Sequence, residues 1–248
     1  MLPVVISSAN HGYKDFVLNL LINVKQELHN HRFVLYCLDQ KLYDDVKQYS
    51  HGNIEVRLSN VRCDAEFQEY SPHSKKFIAI DRAKIHVIRE ALSEFGFIHF
   101  VDADVVFFTE PSEEYHAKYK DYDIVYQRDM APTLGPAYNQ WTCVGNMTLR
   151  NTPETNQFLN SLQMYETRYP DENDQECQRI LFKDLGVTDI RTCPGVRLTE
   201  FPMTEFTMGW VVDHTPWMLK HTMVFHANYV AGREAKIQRL RSVKHWYL

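Results

Sequence analysis

The sequence is short of several features that would define its class. Its five cysteines, Cys37, Cys63, Cys143, Cys177 and Cys193, are an odd number among 248 residues and include no Cys-x-x-Cys pair. That pattern fits free thiols in a reducing compartment rather than a disulfide framework. No apolar run approaches the roughly 18 residues needed to span a membrane. Met1-Leu2-Pro3 passes straight into Val4-Val5-Ile6, without the basic start and apolar core of a secretory leader, so a cytoplasmic location is expected. Basic residues are not in excess: 27 Lys and Arg face 32 Asp and Glu, for a net charge of −5. A chain without a general basic field is a poor candidate for binding nucleic acid. There is no internal repeat, no low-complexity tract and no Pro-, Gly- or Ser-rich linker. One domain over residues 1–248 is therefore expected. Asn146-Met147-Thr148 matches a glycosylation sequon, which a cytosolic chain would leave unused.

The first half does contain a regular alternation. Residues 3–8 and 32–38 read as buried strands, and 53–58 as a third. Between them, Phe16, Leu18, Leu20, Leu21, Val24 and Leu28 recur at helical spacing, and a short helix is expected near 40–48. Residues 75–95 predict a strong helix that Gly96 terminates. Strand–helix alternation with short connections predicts an α/β fold: a mostly parallel sheet flanked by helices, with ligands outside the carboxyl ends of its strands. The second half is less regular. Strands are expected at 122–127, 142–149, 188–192 and 223–230, and helices at 154–166 and 173–183. Residues 199–222 read as a mixed, aromatic-rich segment, and a basic tail follows from 232.

Residues 97–108 carry the chemistry. Asp102 and Asp104 interrupt the run Phe-Ile-His-Phe-Val-Asp-Ala-Asp-Val-Val-Phe-Phe. Buried carboxylates are costly unless a cation or strong donors compensate. In extended backbone, Asp-x-Asp places both side chains on one face. Oxygen ligands suit hard cations such as Mn or Mg. His226, at the end of the apolar run Met223-Val224-Phe225, is a candidate third ligand and would favour Mn; a core histidine bonded to backbone is the competing reading. The turns at Ser7–Tyr13 and Asp102–Asp104 both follow strands, so one crevice can contain both.

Four segments in order give the chain a resemblance to the nucleotide-diphospho-sugar transferases, retaining glycosyltransferases of GT-A fold, and more distantly to glycogenin-like enzymes. They are residues 5–19, residues 84–107 with Asp-Ala-Asp, residues 174–181 beginning Asp174-Gln175, and residues 226–236, His-Ala-Asn-Tyr-Val-Ala-Gly-Arg-Glu-Ala-Lys. The resemblance runs from about residue 3 to the C-terminus. It implies a nucleotide-binding half, 1–110, and a sugar and acceptor half, 111–248. Asp104 and His226 would bind Mn, and Asp102 would bind the metal, the ribose or both. The donor would be a nucleotide-sugar, most often a uridine-diphosphate (UDP) sugar, and the acceptor a glycan or another hydroxyl. Lys236 and Gly232 would meet the diphosphate. Tyr13 would stack on the uracil, with Ser8 or Asn10 at its edge. Lys84 would reach toward sugar or phosphate, and Asp174 and Gln175 would line the sugar and acceptor side. Plainer readings stand beside these: helix packing for Tyr13, a solvated charge for Lys84 and Lys236, and a helix cap for Asp174. Tyr229 stands where the family often has Trp. Gly145 is placed to meet the donor sugar, but Asn146 beside it departs from the family pattern.

Two other classes compete. Asp102-Ala-Asp104-Val-Val also fits the nucleophile motif of haloacid-dehalogenase-type phosphatases, but three strand–helix units precede it here and no later Gly-Asp-x-x-x-Asp follows. A non-catalytic nucleotide-sugar-binding module is the other. For the acceptor, Trp141, Phe206, Trp210 and Trp217 are candidate sugar-stacking rings, with burial in the core the alternative. A transferase of this kind without a membrane anchor would work in the cytosol, or in the Golgi lumen if the chain is an excised catalytic domain.

Overall fold

The computed structural model describes residues 1–63, 66, 74–129 and 142–248. Its strands are β1 (Val4–Ala9), β2 (Phe33–Cys37), β3 (Ile54–Leu58), β4 (Phe97–Val101), β5 (Val105–Phe107), β6 (Ile124–Arg128), β7 (Thr142–Arg150), β8 (Leu198–Glu200), β9 (Phe206–Met208) and β10 (Val224–His226). Its helices are α1 (Lys14–Glu27), α2 (Gln40–Val46), α3 (Lys75–Phe95), α4 (Glu113–Ala117), α5 (Pro153–Arg168), α6 (Asp174–Asp184), α7 (Gly209–His214) and α8 (Arg233–Ser242). Seven strands form one sheet in the order β3-β2-β1-β4-β7-β6-β8. All run parallel except β7, which is antiparallel to β4 and β6. A second sheet, β5-β10-β9, stands beside it.

Alternation along each strand divides the core between the two faces. On β1, Val5 packs with α1 side chains Phe16, Val17, Leu20 and Val24, while Ile6 packs on the other face with Ile85 and Ile88 of α3. This is the period of two expected for a strand covered on both sides. The side chain of Ser74 caps the start of α3, and Gly96 closes it at φ 74°, a left-handed conformation that suits glycine. Helix α3 therefore ends one residue before β4, which fixes where β4 emerges.

Several elements differ from the sequence expectations. Residues 188–192 do not form a strand: the Asp189 side chain accepts from Arg191 N and sets a 3-10 turn, Ile190–Thr192. The edge strand comes later, at Leu198–Glu200, parallel to β6. The expected strand over 223–230 stops at His226, and Tyr229 sits at φ 61°, outside extended geometry. The basic tail contains α8. Asn146 is fully buried in β7 and bonded to His99 Nε2 at 2.8 Å, so its sequon is closed to glycosylation in the folded chain. All five cysteines are free. No helix among the described residues is long and apolar enough to cross a membrane.

Candidate active site

The apolar strand β4 ends at Val101, and the two aspartates lie in the tight turn that follows. Val105 N donates to the Asp102 carbonyl at 3.1 Å, and Asp102 N donates to the Gly145 carbonyl at 2.7 Å. The carboxylates thus converge through a turn, not through the two-residue period of an extended strand. His226, the last residue of β10, lies opposite Val105 of β5. Its Nε2 is 3.2 Å from Asp104 Oδ1 and 3.9 Å from Asp102 Oδ2. One ligand atom from each of the three residues lies within 4.8 Å of the others.

These residues fit a divalent cation. The donor set is two hard oxygens and one imidazole, and the wall behind it carries no side chain. A Cβ on Gly145 would lie 2.8 Å from His226 Cε1 and closer still to Asp102 Oδ2. Burial opposes the Asp104 charge, but Lys236 and His226 outweigh it and hold the carboxyl far below the usual carboxylate range. Burial likewise opposes the His226 charge, but Asp104 and then Cys143 raise it well above the usual imidazole range. Lys236 of α8 donates directly to Asp104 Oδ2, so it is not a solvated tail charge.

Lys84 is not solvated either. It is buried on α3, with Nζ 3.0 Å from Asp174 Oδ2, 3.4 Å from Asp102 Oδ1 and 5.6 Å from the Phe100 ring centroid. The cap of α6 is Asn173, whose Oδ1 accepts from Glu176 N at 2.8 Å. That leaves Asp174 Oδ2 to face Lys84. Burial raises the Asp174 pKa, and Lys84 opposes the rise. Gln175 Nε2 donates to Asp129 Oδ2 at 2.7 Å, and Asn228 Nδ2 donates to Asp129 Oδ1 at 3.1 Å. Asn228 Oδ1 in turn accepts from Gly209 N at 2.9 Å.

These groups line one open cavity of about 620 Å³ outside the carboxyl ends of β1, β4 and β6, a volume typical of small-molecule sites. Ser8, Tyr13, Lys84, Asp102, Asp104, Asp174, Gln175, His226, Gly232 and Lys236 all face it. Gly232 has φ 87°, so the chain turns there in a conformation that favours glycine. Tyr13 both lines the cavity and packs on Phe16, with ring centroids 6.2 Å apart. Asn10 differs from the expectation: it is fully buried, does not line the cavity, and donates to the Glu66 carbonyl at 2.8 Å.

The aromatic platform is not assembled at this cavity. Phe206 is a core residue stacked on Phe201 at 3.8 Å. Trp210 stacks on His214 at 4.3 Å, Trp217 is 63% exposed elsewhere, and neither lines the cavity. Trp141 lies outside the described residues. The sequence reading also missed Asp81, Asp129 and Cys143, which line the cavity. Asp129 had a usable signal, since like Asp102 it is a carboxylate just past an apolar strand. Asp81 stands one helical turn before Lys84, and Cys143 one strand period before Gly145.

No curated protein sequence matches the chain significantly. Solved structures do share its fold. The bifunctional glycosyltransferase WbbM superposes with a TM-score of 0.61 at 12% identity, over 96% of this chain and 49% of WbbM. GlyE of Streptococcus pneumoniae gives 0.60 at 9% identity, over 98% of this chain and 61% of GlyE. This chain thus spans about half of the first and three-fifths of the second. The galactosyltransferase LgtC, solved with donor and acceptor sugar analogues, gives 0.58 at 12% identity, over 90% of this chain and 86% of LgtC. The shared fold is GT-A. Neither the phosphatase nor the binding-module alternative gains support from these comparisons. The family model for nucleotide-diphospho-sugar transferases matches residues 28–240, and the chain belongs to that family.

Proposed function

We propose that the protein is a metal-dependent, retaining glycosyltransferase that moves a hexose or pentose from a UDP-sugar to a glycan or another hydroxyl acceptor. One observation carries the reading: Asp102, Asp104 and His226 converge in the same cavity as the buried cation Lys84 and the half-buried cation Lys236. An anionic diphosphate and a divalent cation together match that charge pattern. Asp104 and His226 would hold Mn, with Mg as the alternative, and Asp102 would serve the metal, the ribose or both. When bound, the metal supplies Lewis-acid charge at the departing diphosphate.

The remaining roles belong to the chain itself. Lys236 reaches the diphosphate from α8, where Gly232 lets backbone come close. Lys84, held between Asp102 and Asp174, orients donor sugar or phosphate from below. Tyr13 stacks on the uracil, with Ser8 at its edge. Gln175, fixed by Asp129, and Asp174 face the sugar and acceptor side. Retention requires attack from the face that the diphosphate leaves, or two successive inversions.

The test is direct. The protein is incubated with Mn and a panel of UDP-sugars, and UDP release is followed with and without hydroxyl acceptors. At least one donor is expected to turn over, and EDTA should stop it. Asp104→Asn keeps the shape, removes the charge, and should abolish Mn-dependent turnover with an unchanged circular dichroism spectrum. Full activity in that variant would refute the metal assignment. Failure to bind any nucleotide-sugar with Mn present would sink the proposal.

A further inference from the structure

Cys143 is not part of the ligand set, yet its sulfur lies 3.3 Å from His226 Nδ1. Both side chains are buried, at 3% and 4% exposure. An imidazole that ligates through Nε2 carries its proton on Nδ1, and the partner of that proton fixes tautomer and ring plane. Carboxylates and backbone carbonyls are the usual partners. Here the Nδ1 side meets a thiol. The sulfur is enclosed rather than open to solvent, unlike that of a reactive cysteine. A neutral sulfur is a weak acceptor. The placement is built into β7, whose pairing with β6 shifts register between Met147 and Cys143: in that stretch Cys143 Sγ meets His226 Nδ1 and Gly145 abuts His226 Cε1. This stretch of one strand therefore supplies both the bare wall behind the carboxylates and the contact behind the histidine.

We propose that Cys143 is a positioning residue for the metal site: its sulfur accepts the Nδ1 proton of His226 and directs Nε2 toward Asp104 and a divalent cation. The inference rests on the metal-site reading above, and its test separates the two.

Mn binding to the purified full chain, without nucleotide or acceptor, is measured from the loss of the free aqueous Mn EPR signal. Absence of Mn binding by the unsubstituted protein would overturn the metal reading itself, before any variant is made. Given binding, Cys143→Ala should weaken Mn affinity about tenfold, the lower end of the range for partners of metal ligands. Cys143→Ser, which keeps an acceptor, should recover most of that loss. Mg affinity, dominated by the carboxylates, should change less. In a His226→Ala background, Cys143→Ala should have no further effect, because the two act as one unit. Unchanged Mn affinity in Cys143→Ala, or an equal loss with and without His226, would overturn the proposal. Urea unfolding in EDTA identifies a variant that simply fails to fold, and the serine variant then decides the matter: Mn affinity near that of the unsubstituted protein supports the role, and a tenfold loss in a folded serine variant overturns it.

Discussion

At position 145 even one methyl group has no place, because it would occupy the space of the Asp102 carboxylate and the His226 ring edge. Gly145→Ala is therefore expected to push Asp102 off its position and lower Mn affinity and turnover on the order of a hundredfold, since small misplacements at a reacting centre have effects of that size. EPR titration and UDP-release kinetics check this; wild-type Mn affinity in the variant would show that the wall is soft. Residues differed in how legible they were. Asp104 was readable because nothing but a cation or strong donors explains a carboxylate inside an apolar run. Lys236 was legible only through the family resemblance, because a lysine in a basic tail looks solvated until α8 folds it onto Asp104. Asp174 was ambiguous at a helix start, and Asn173 resolved it by taking the cap.

Among the elements, β5 depends on one side chain of α1. Asn23 is fully buried, donates to the Phe107 carbonyl at 2.8 Å and accepts from Phe107 N at 2.7 Å. Asn23→Ala leaves both backbone groups of Phe107 without that partner, at a cost of about 2–4 kcal/mol for two buried polar groups. A urea titration should show this as a lower midpoint at unchanged slope. A shift of less than about 0.5 kcal/mol, the scale of a neutral surface change, would show that Asn23 does not anchor β5. Long, strongly periodic elements such as α3 were legible because burial dictates their pattern. The short ones were not. β5, β9 and β10 have three residues each, too few to show a period, and the turn at 190–192 is set by a local Asp189 hydrogen bond.

For the molecule as a whole, acid response is divided between groups of opposite sign. His99 and His116 are buried, and burial lowers them to about 4 and about 2. Because the folded pKa lies below the unfolded value near 6.5, the unfolded state takes up protons first as pH falls, and stability is lost from pH 6.5 downward. Glu166 and Glu200 are raised to about 7 by burial. Their folded forms hold protons that the unfolded chain has released, so they gain stability as pH falls from 7 toward 4.5. These two effects oppose each other between pH 6.5 and 4.5. His116→Phe removes one term. Its stability relative to wild type should rise by about 1.4 kcal/mol per pH unit below 6.5, read from urea midpoints at pH 7.5, 6 and 5. A pH-independent difference would show that His116 titrates normally. That β1 to β4 run parallel followed from strand–helix alternation; their order did not. The reversal at β7 did not, because both faces of that strand are buried and an all-buried strand carries no sign of its direction.

That reversed strand sets a limit on how the chain can vary. Cys143 and Gly145 both abut the His226 ring, the sulfur at Nδ1 and the bare backbone at Cε1, where β7 leaves its regular register with β6. An added side chain at 145 would meet Asp102, and loss of the sulfur at 143 would leave Nδ1 without that contact. These two positions can therefore take only groups that leave Asp102 and the imidazole where they are. A change there would reach the site while leaving the pairing of β4 with residues 146–150 of β7 intact.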